Sequence, residues 1–126
     1  KADDWVIATG KTHSVKDFVN LAFNEIGVEI EYRGEGINEK GFISKCDDKF
    51  NLEIGKEVLS IDPAYFRPTE VDVLIGDPSK AKNELGWVPE YTLETLVKDM
   101  ISSDLKLMKK ELFLKENGFE VLNSFD

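Results

Sequence analysis

The sequence predicts a mixed α/β chain, α+β as an isolated piece, forming one small domain over residues 1–126. Three observations carry that expectation. A short apolar run, Trp5–Thr9, is followed by apolar residues at helical spacing. The stretch Val28–Tyr32 alternates apolar and charged residues, as a half-buried strand does. Near the other end lie two helix patterns with unusually complete start and stop signals. The regular strand–helix alternation of a complete doubly wound sheet is absent.

Taken in order, Trp5-Val-Ile-Ala-Thr9 has β-branched content and closes at Gly10, which predicts a strand. Thr12 or Ser14 can cap the helix that follows, and Asp17 stands three residues after Ser14, where a capping box usually places Glu or Gln. Val15, Phe18, Val19, Ala22, Phe23 and Ile26 mark its apolar face, and Gly27 stops it. Residues Arg33–Gly41 are polar and glycine-rich, predicting a surface loop. Gly41–Lys45 is a weak strand, Cys46–Gly55 irregular, and Lys56–Ile61 a short strand. Val71–Ile75 fits a strand or one helical turn. Next, Asp77 can cap, Pro78 suits the first helical position and Gly86 suits the stop. Thr92 caps the last helix, predicted to run to about Asn117 and end at Gly118. Its stripe of Leu93, Leu96, Val97, Met100, Ile101, Leu105 and Met108 predicts packing against the core or another subunit.

Composition bounds the function. With 126 residues, 41% hydrophobic and 33% charged, the chain can build one modest core. A net charge of −9 excludes a broad basic face for nucleic acid or an anionic membrane. A phosphorylated ligand must therefore be held by a few placed cations. The single cysteine, Cys46, excludes an internal disulfide and fits a reducing compartment such as the cytoplasm. No apolar run is long enough to cross a bilayer. The first residues do not resemble a signal peptide and lack an initiator methionine, which predicts a piece of a longer chain.

The stretch Asp62-Pro-Ala-Tyr-Phe-Arg-Pro-Thr-Glu70-Val71 organises the functional reading. Its two prolines hold their own φ and keep Asp62 and Arg67 out of mid-helix conformations. A held guanidinium can bind a phosphate bidentately, and a nearby carboxylate can accept from sugar hydroxyls. Arg67 and Glu70 thus form a candidate clamp for a nucleotide diphosphate and its ribose. The competing reading is a solvated ion pair beside a turn.

Reaction machinery is not evident. Gly34-Glu-Gly36 begins a dinucleotide fingerprint, but Glu39 occupies the third glycine position and no strand–helix turn flanks it. The residues four after Tyr32, Tyr65 and Tyr91 are Gly36, Thr69 and Thr95, so no Tyr-x-x-x-Lys pair exists. His13, the lone histidine, lies beside a helix start, where it could face a ligand, and a structural or solvent role is the favoured reading. With one histidine and one cysteine far apart, no metal site is expected.

The order Val6-Ile-Ala-Thr-Gly10, His13-Ser-Val-Lys-Asp-Phe18, Tyr65-Phe-Arg-Pro-Thr-Glu-Val71, Gly76-Asp-Pro-Ser-Lys-Ala81 and Leu85-Gly-Trp87, with Pro89, closely resembles the GDP-mannose 4,6-dehydratase family. The resemblance implies the C-terminal substrate-binding domain of an extended short-chain dehydrogenase/reductase. Its NADP-binding Rossmann domain and catalytic residues would belong to the N-terminal half. It implies GDP-mannose as substrate, GDP-4-keto-6-deoxymannose as product, and a cytoplasmic homo-oligomer, dimer or tetramer. Carried over by position, Arg67 would contact the diphosphate and Glu70 the ribose hydroxyls. The fragment alone is expected to be inactive. One departure is Ala64, where relatives commonly carry a basic residue. The substrate domain of another nucleotide-sugar epimerase or dehydratase, and a non-catalytic nucleotide-binding module, remain the alternatives.

Overall fold

The computed structural model describes residues 2–69 and 73–121. Helix α1 (Val15–Glu25) leads into strand β1 (Val28–Arg33), a 3-10 turn (Gly36–Asn38), β2 (Lys40–Cys46) and β3 (Glu57–Ser60). Helices α2 (Ser79–Leu85) and α3 (Leu93–Glu116) complete the order. The three strands form an antiparallel sheet in sequence order, with β2 central. Val28 stands opposite Cys46 and Tyr32 opposite Gly41, and Gly41 in turn stands opposite Leu59.

The sheet forms here because β1 alternates. Val28 is buried, Ile30 and Tyr32 are half-buried, and Glu29, Glu31 and Arg33 face water. Helix α1 packs on β1 and against α3. The Tyr32 hydroxyl donates to Asn20 Oδ1 at 2.8 Å, which ties the helix to the strand. Partial burial raises the Tyr32 pKa above its ordinary value. Val28, Ile43, Ala81 and Val97 are the fully buried apolar side chains among the described residues.

The helix ends follow local chemistry. Ser14 Oγ accepts from the Asp17 N–H, and the Asp17 carboxylate accepts from the Ser14 N–H, a complete capping box. Thr92 and Thr95 do the same for α3. Asp77 Oδ1 accepts from the Ser79 N–H at 2.9 Å, so α2 begins at Ser79, one residue later than expected. Gly86 closes α2 in the left-handed region at φ 67°, its N–H donating to the Lys82 carbonyl. At the end of α3 the Phe119 N–H donates to the Leu114 carbonyl at 2.9 Å.

Three expectations are corrected. Trp5–Thr9 is neither helix nor strand, because no described strand lies beside it to complete a ladder. The predicted loop from Arg33 is shorter, since Lys40 already pairs with Arg33 and with Ser60. The strand expected at Gly41–Lys45 is present and is the centre of the sheet, where ladders on both edges outweigh its modest propensity. Residues 73–75 form neither helix nor strand, and Val71 lies outside the described residues. The α3 stripe is covered along one edge only: Val97 is buried, whereas Leu96, Met100 and Met108 are exposed.

The chain exposes 10565 Å². A compact monomer of 14.3 kDa exposes about 6,800 Å² on the usual mass scaling. This sequence therefore leaves much more surface in water than a self-sufficient domain of its size.

Two predictions follow from the packing and the caps. Ile43→Ala should destabilise the chain by about 2–4 kcal/mol, read from the urea midpoint, because it opens a cavity in the central strand. Hydrogen bonds hold several carboxyls below their ordinary 3.8: Asp17 through the Ser14 N–H, Asp77 through the Ser79 hydroxyl, and Asp3 through Lys80. A depressed folded value stabilises above the unfolded pKa, and that contribution is lost as pH falls through the folded one. The urea midpoint should thus drop steeply below about pH 4, and less steeply in Asp17→Asn.

Candidate functional site

The arginine segment begins where β3 ends. Asp62 Oδ1 accepts from the Ala64 N–H at 2.9 Å, and the Tyr65 N–H donates to the Asp62 carbonyl at 3.1 Å. Asp at the first position and Pro63 at the second suit this turn, because the carboxylate bonds its own backbone and proline presets φ. Tyr65 projects into solvent, Phe66 is half-buried, and Arg67 is exposed. The turn and the half-buried Phe66 therefore fix the backbone entering Arg67 while its side chain stays in water. Glu70 lies outside the described residues, so the Arg67–Glu70 separation is not part of this geometry.

The chain's other arginine is engaged. Arg33 pairs with Glu31 at 3.1 Å and lies 4.9 Å from the Phe42 ring centroid. Lys16, Lys40, Lys45 and Lys80 are paired with Glu39, Glu57, Glu29 and Asp3. Arg67 forms no ion pair with any described residue.

Two concavities occur elsewhere. A shallow one of about 850 Å³ is lined by Asn20, Asn24, Glu29, Lys45, Cys46 and Asp48, among others. A smaller cleft of about 280 Å³ lies between the loop before α1 and the start of α3. His13, Lys11, Tyr91 and Glu94 meet there, and Arg67 lines neither space. The Glu94 carboxyl is held below its ordinary value, first by its own backbone N–H, then by Thr92, with smaller help from His13 and Lys11. No sequence spacing marks this group, because its members lie about eighty residues apart and meet only through α1–α3 packing.

Gly34 and Gly36 shape the β1–β2 connection. At φ 85°, a Cβ on Gly34 would stand 2.4 Å from the Asn38 carbonyl oxygen. Gly34 is thus required by a tight turn, and no helix follows to receive a phosphate. Among the described residues, no cluster of three His, Cys, Asp or Glu side chains could hold a metal ion. No described helix is long and apolar enough to cross a membrane.

A small antiparallel sheet with helices and an exposed Asp-Pro-x-x-x-Arg-Pro turn defines a mixed α/β chain, and comparison with known proteins narrows this. The family described as GDP-mannose 4,6 dehydratase matches residues 1–100, and the chain belongs to that family. A GDP-mannose 4,6-dehydratase of Yersinia enterocolitica is 47% identical over 121 residues, covering 94% of this chain and 32% of the relative. One from Vibrio cholerae is 43% identical over 120 residues, with the same coverage. A Drosophila melanogaster protein of that name is 48% identical over 109 residues, covering 85% of this chain and 25% of its own length. The chain therefore spans about a third or less of these relatives.

The cleft around His13 yields its own prediction. Because His13 helps to lower the Glu94 carboxyl, His13→Ala should raise the Glu94 pKa read by NMR slightly, and Thr92→Ala should raise it more. An unchanged Glu94 titration in His13→Ala would show that the two do not interact.

Proposed function

We propose that this chain is the nucleotide-sugar-binding portion of a longer GDP-mannose 4,6-dehydratase, with Arg67 on the diphosphate and Glu70 on the ribose. The longer protein converts GDP-mannose to GDP-4-keto-6-deoxymannose, a lyase reaction on the route to GDP-fucose and related deoxysugars. The observation that carries the reading is the family match over residues 1–100, which includes the Tyr-Phe-Arg-Pro-Thr-Glu-Val segment. Two features of this chain support the clamp. Arg67 is engaged by no described carboxylate, and the preceding turn stiffens the backbone that presents it. A guanidinium with no described carboxylate partner suits an anionic ligand.

The residues present do not fit a dinucleotide. The glycines at 34 and 36 belong to a strand–strand turn, and no described strand–helix turn carries a glycine loop. NADP and the reacting groups are accordingly assigned to a Rossmann portion of the longer protein, outside this chain. The work of this portion is to hold the GDP end so that the hexose lies where that chemistry occurs. A cytoplasmic homo-oligomer of the longer protein completes the reading.

In the longer protein, Arg67→Ala should raise KM for GDP-mannose about 30-fold or more, matching a loss of about 2–5 kcal/mol for a charge-assisted contact. An unchanged KM would remove Arg67 from the phosphate site. By calorimetry, the 126-residue chain alone should bind GDP weakly or not at all, because much of the pocket wall is missing. Tight binding would instead identify a free-standing nucleotide module.

A further inference from the structure

We propose that Trp5–Thr9 and residues 73–76 form a sheet face completed by a strand from the portion of the longer protein that this chain does not span. The inference rests on the reading of the chain as one portion of a longer dehydratase. Trp5-Val-Ile-Ala-Thr9 has the composition of a strand buried on both faces, a continuous apolar run rather than an alternating one. Yet Val6 and Ile7 are 52% and 62% exposed. Beside them, Val73, Leu74 and Ile75 are 59%, 78% and 56% exposed. The two stretches are neighbours, since a Cβ built on Gly76 would stand 2.6 Å from the Ala8 Cβ and 3.6 Å from Val6 Cγ1. Gly76 permits that approach because any side chain would push the stretches apart.

The face is held in place. Lys80 Nζ contacts the Asp3 carboxylate at 2.9 Å, donates to the Asp4 carbonyl at 3.0 Å, and lies 4.7 Å from the Trp5 ring centroid. At the other end the chain runs into the capping box of α1. No backbone hydrogen bond is made by Val6, Ile7 or Ala8, or by residues 73–75, to another described residue. Apolar backbone outside any helix or strand, with no hydrogen bond to a described residue, can add to a sheet as a strand. The patch carries no charge from Val6 to Ala8 or from Val73 to Gly76. The exposed apolar residues late in α3, by contrast, are interleaved with Lys106, Lys109, Lys110 and Glu111.

The occupant is a strand of the same longer polypeptide. The relatives are about three times as long as this chain, which supplies the missing partner. The surplus of surface over a compact monomer, several thousand Å², matches an extensive interface more than a small peptide.

Hydrogen–deuterium exchange on the longer protein tests this. Amides of residues 6–9 and 73–75 should exchange at least about 100-fold slower than unstructured amides. Ile7→Asp and, separately, Leu74→Asp should abolish that protection while β2 amides stay protected. Free exchange at residues 6–9 in the longer protein overturns the proposal. So does protection lost when an oligomer is diluted to monomer, which would make a second copy the occupant. Conversion of GDP-mannose by the same preparation keeps the two readings distinguishable. Activity with unprotected amides sinks only the strand, and protection without activity sinks only the dehydratase.

Discussion

Burial is the limiting resource in this chain. Val28, Ile43, Ala81 and Val97 are sealed from water, while Val6, Ile7, Leu74, Tyr65 and Phe113 are not. The hydrophobic effect scales with apolar area removed from water, at about 25 cal/mol per Å². A chain that keeps so much of that area wet has its tightest packing in one place, where β1 and β2 meet beneath α1. There the Tyr32–Asn20 hydrogen bond and the Val28 and Ile43 side chains fix helix against sheet. The other elements hang on that contact: α3 through α1, and β3 through β2.

What was legible in the sequence follows the range of the interaction. The caps at Ser14 and Thr92 and the stop at Gly86 are made by residues within a few positions of one another, so the sequence contains both partners. The turn at Asp62 is local in the same way. Strand pairing is not. The run at Trp5–Thr9 has a strand's composition but no described partner, whereas Gly41–Lys45 looks weak and becomes the central strand because β1 and β3 flank it. The apolar spacing of α3 is local, and Leu93, Val97, Ile101 and Leu105 carry its buried or half-buried edge. Which members of the stripe would be covered depended on how far α1 reaches along it, and periodicity does not encode that.

The candidate site divides along the same line. That Arg67 would lie outside any helix could be read from Pro63 and Pro68 and their neighbours. Which cations remain available for an anion could not, because it depends on pairs such as Lys40–Glu57 and Lys80–Asp3, formed across the fold. Such exposed pairs contribute little to stability. They matter here because they occupy cations, and Arg67 is left without a described carboxylate. The meeting of His13, Lys11, Tyr91 and Glu94 is likewise a product of helix packing, and nothing in the local sequence announces it.

The proposed clamp and the proposed docking face are close in the chain. Arg67 and Val73 are six residues apart, a span of about 20 Å at full extension. A guanidinium on exposed backbone braced at one end only must still lose conformational freedom to grip a diphosphate, and that cost reduces affinity. Seating residues 73–75 in a sheet would anchor the far end of the segment that the Asp62 turn anchors at the near end. Held at both ends, the segment is preorganised before ligand arrives. Assembly of the longer protein and formation of the phosphate site then become one event, which gives a physical reason for separating the nucleotide-gripping residues from the reacting ones along the chain.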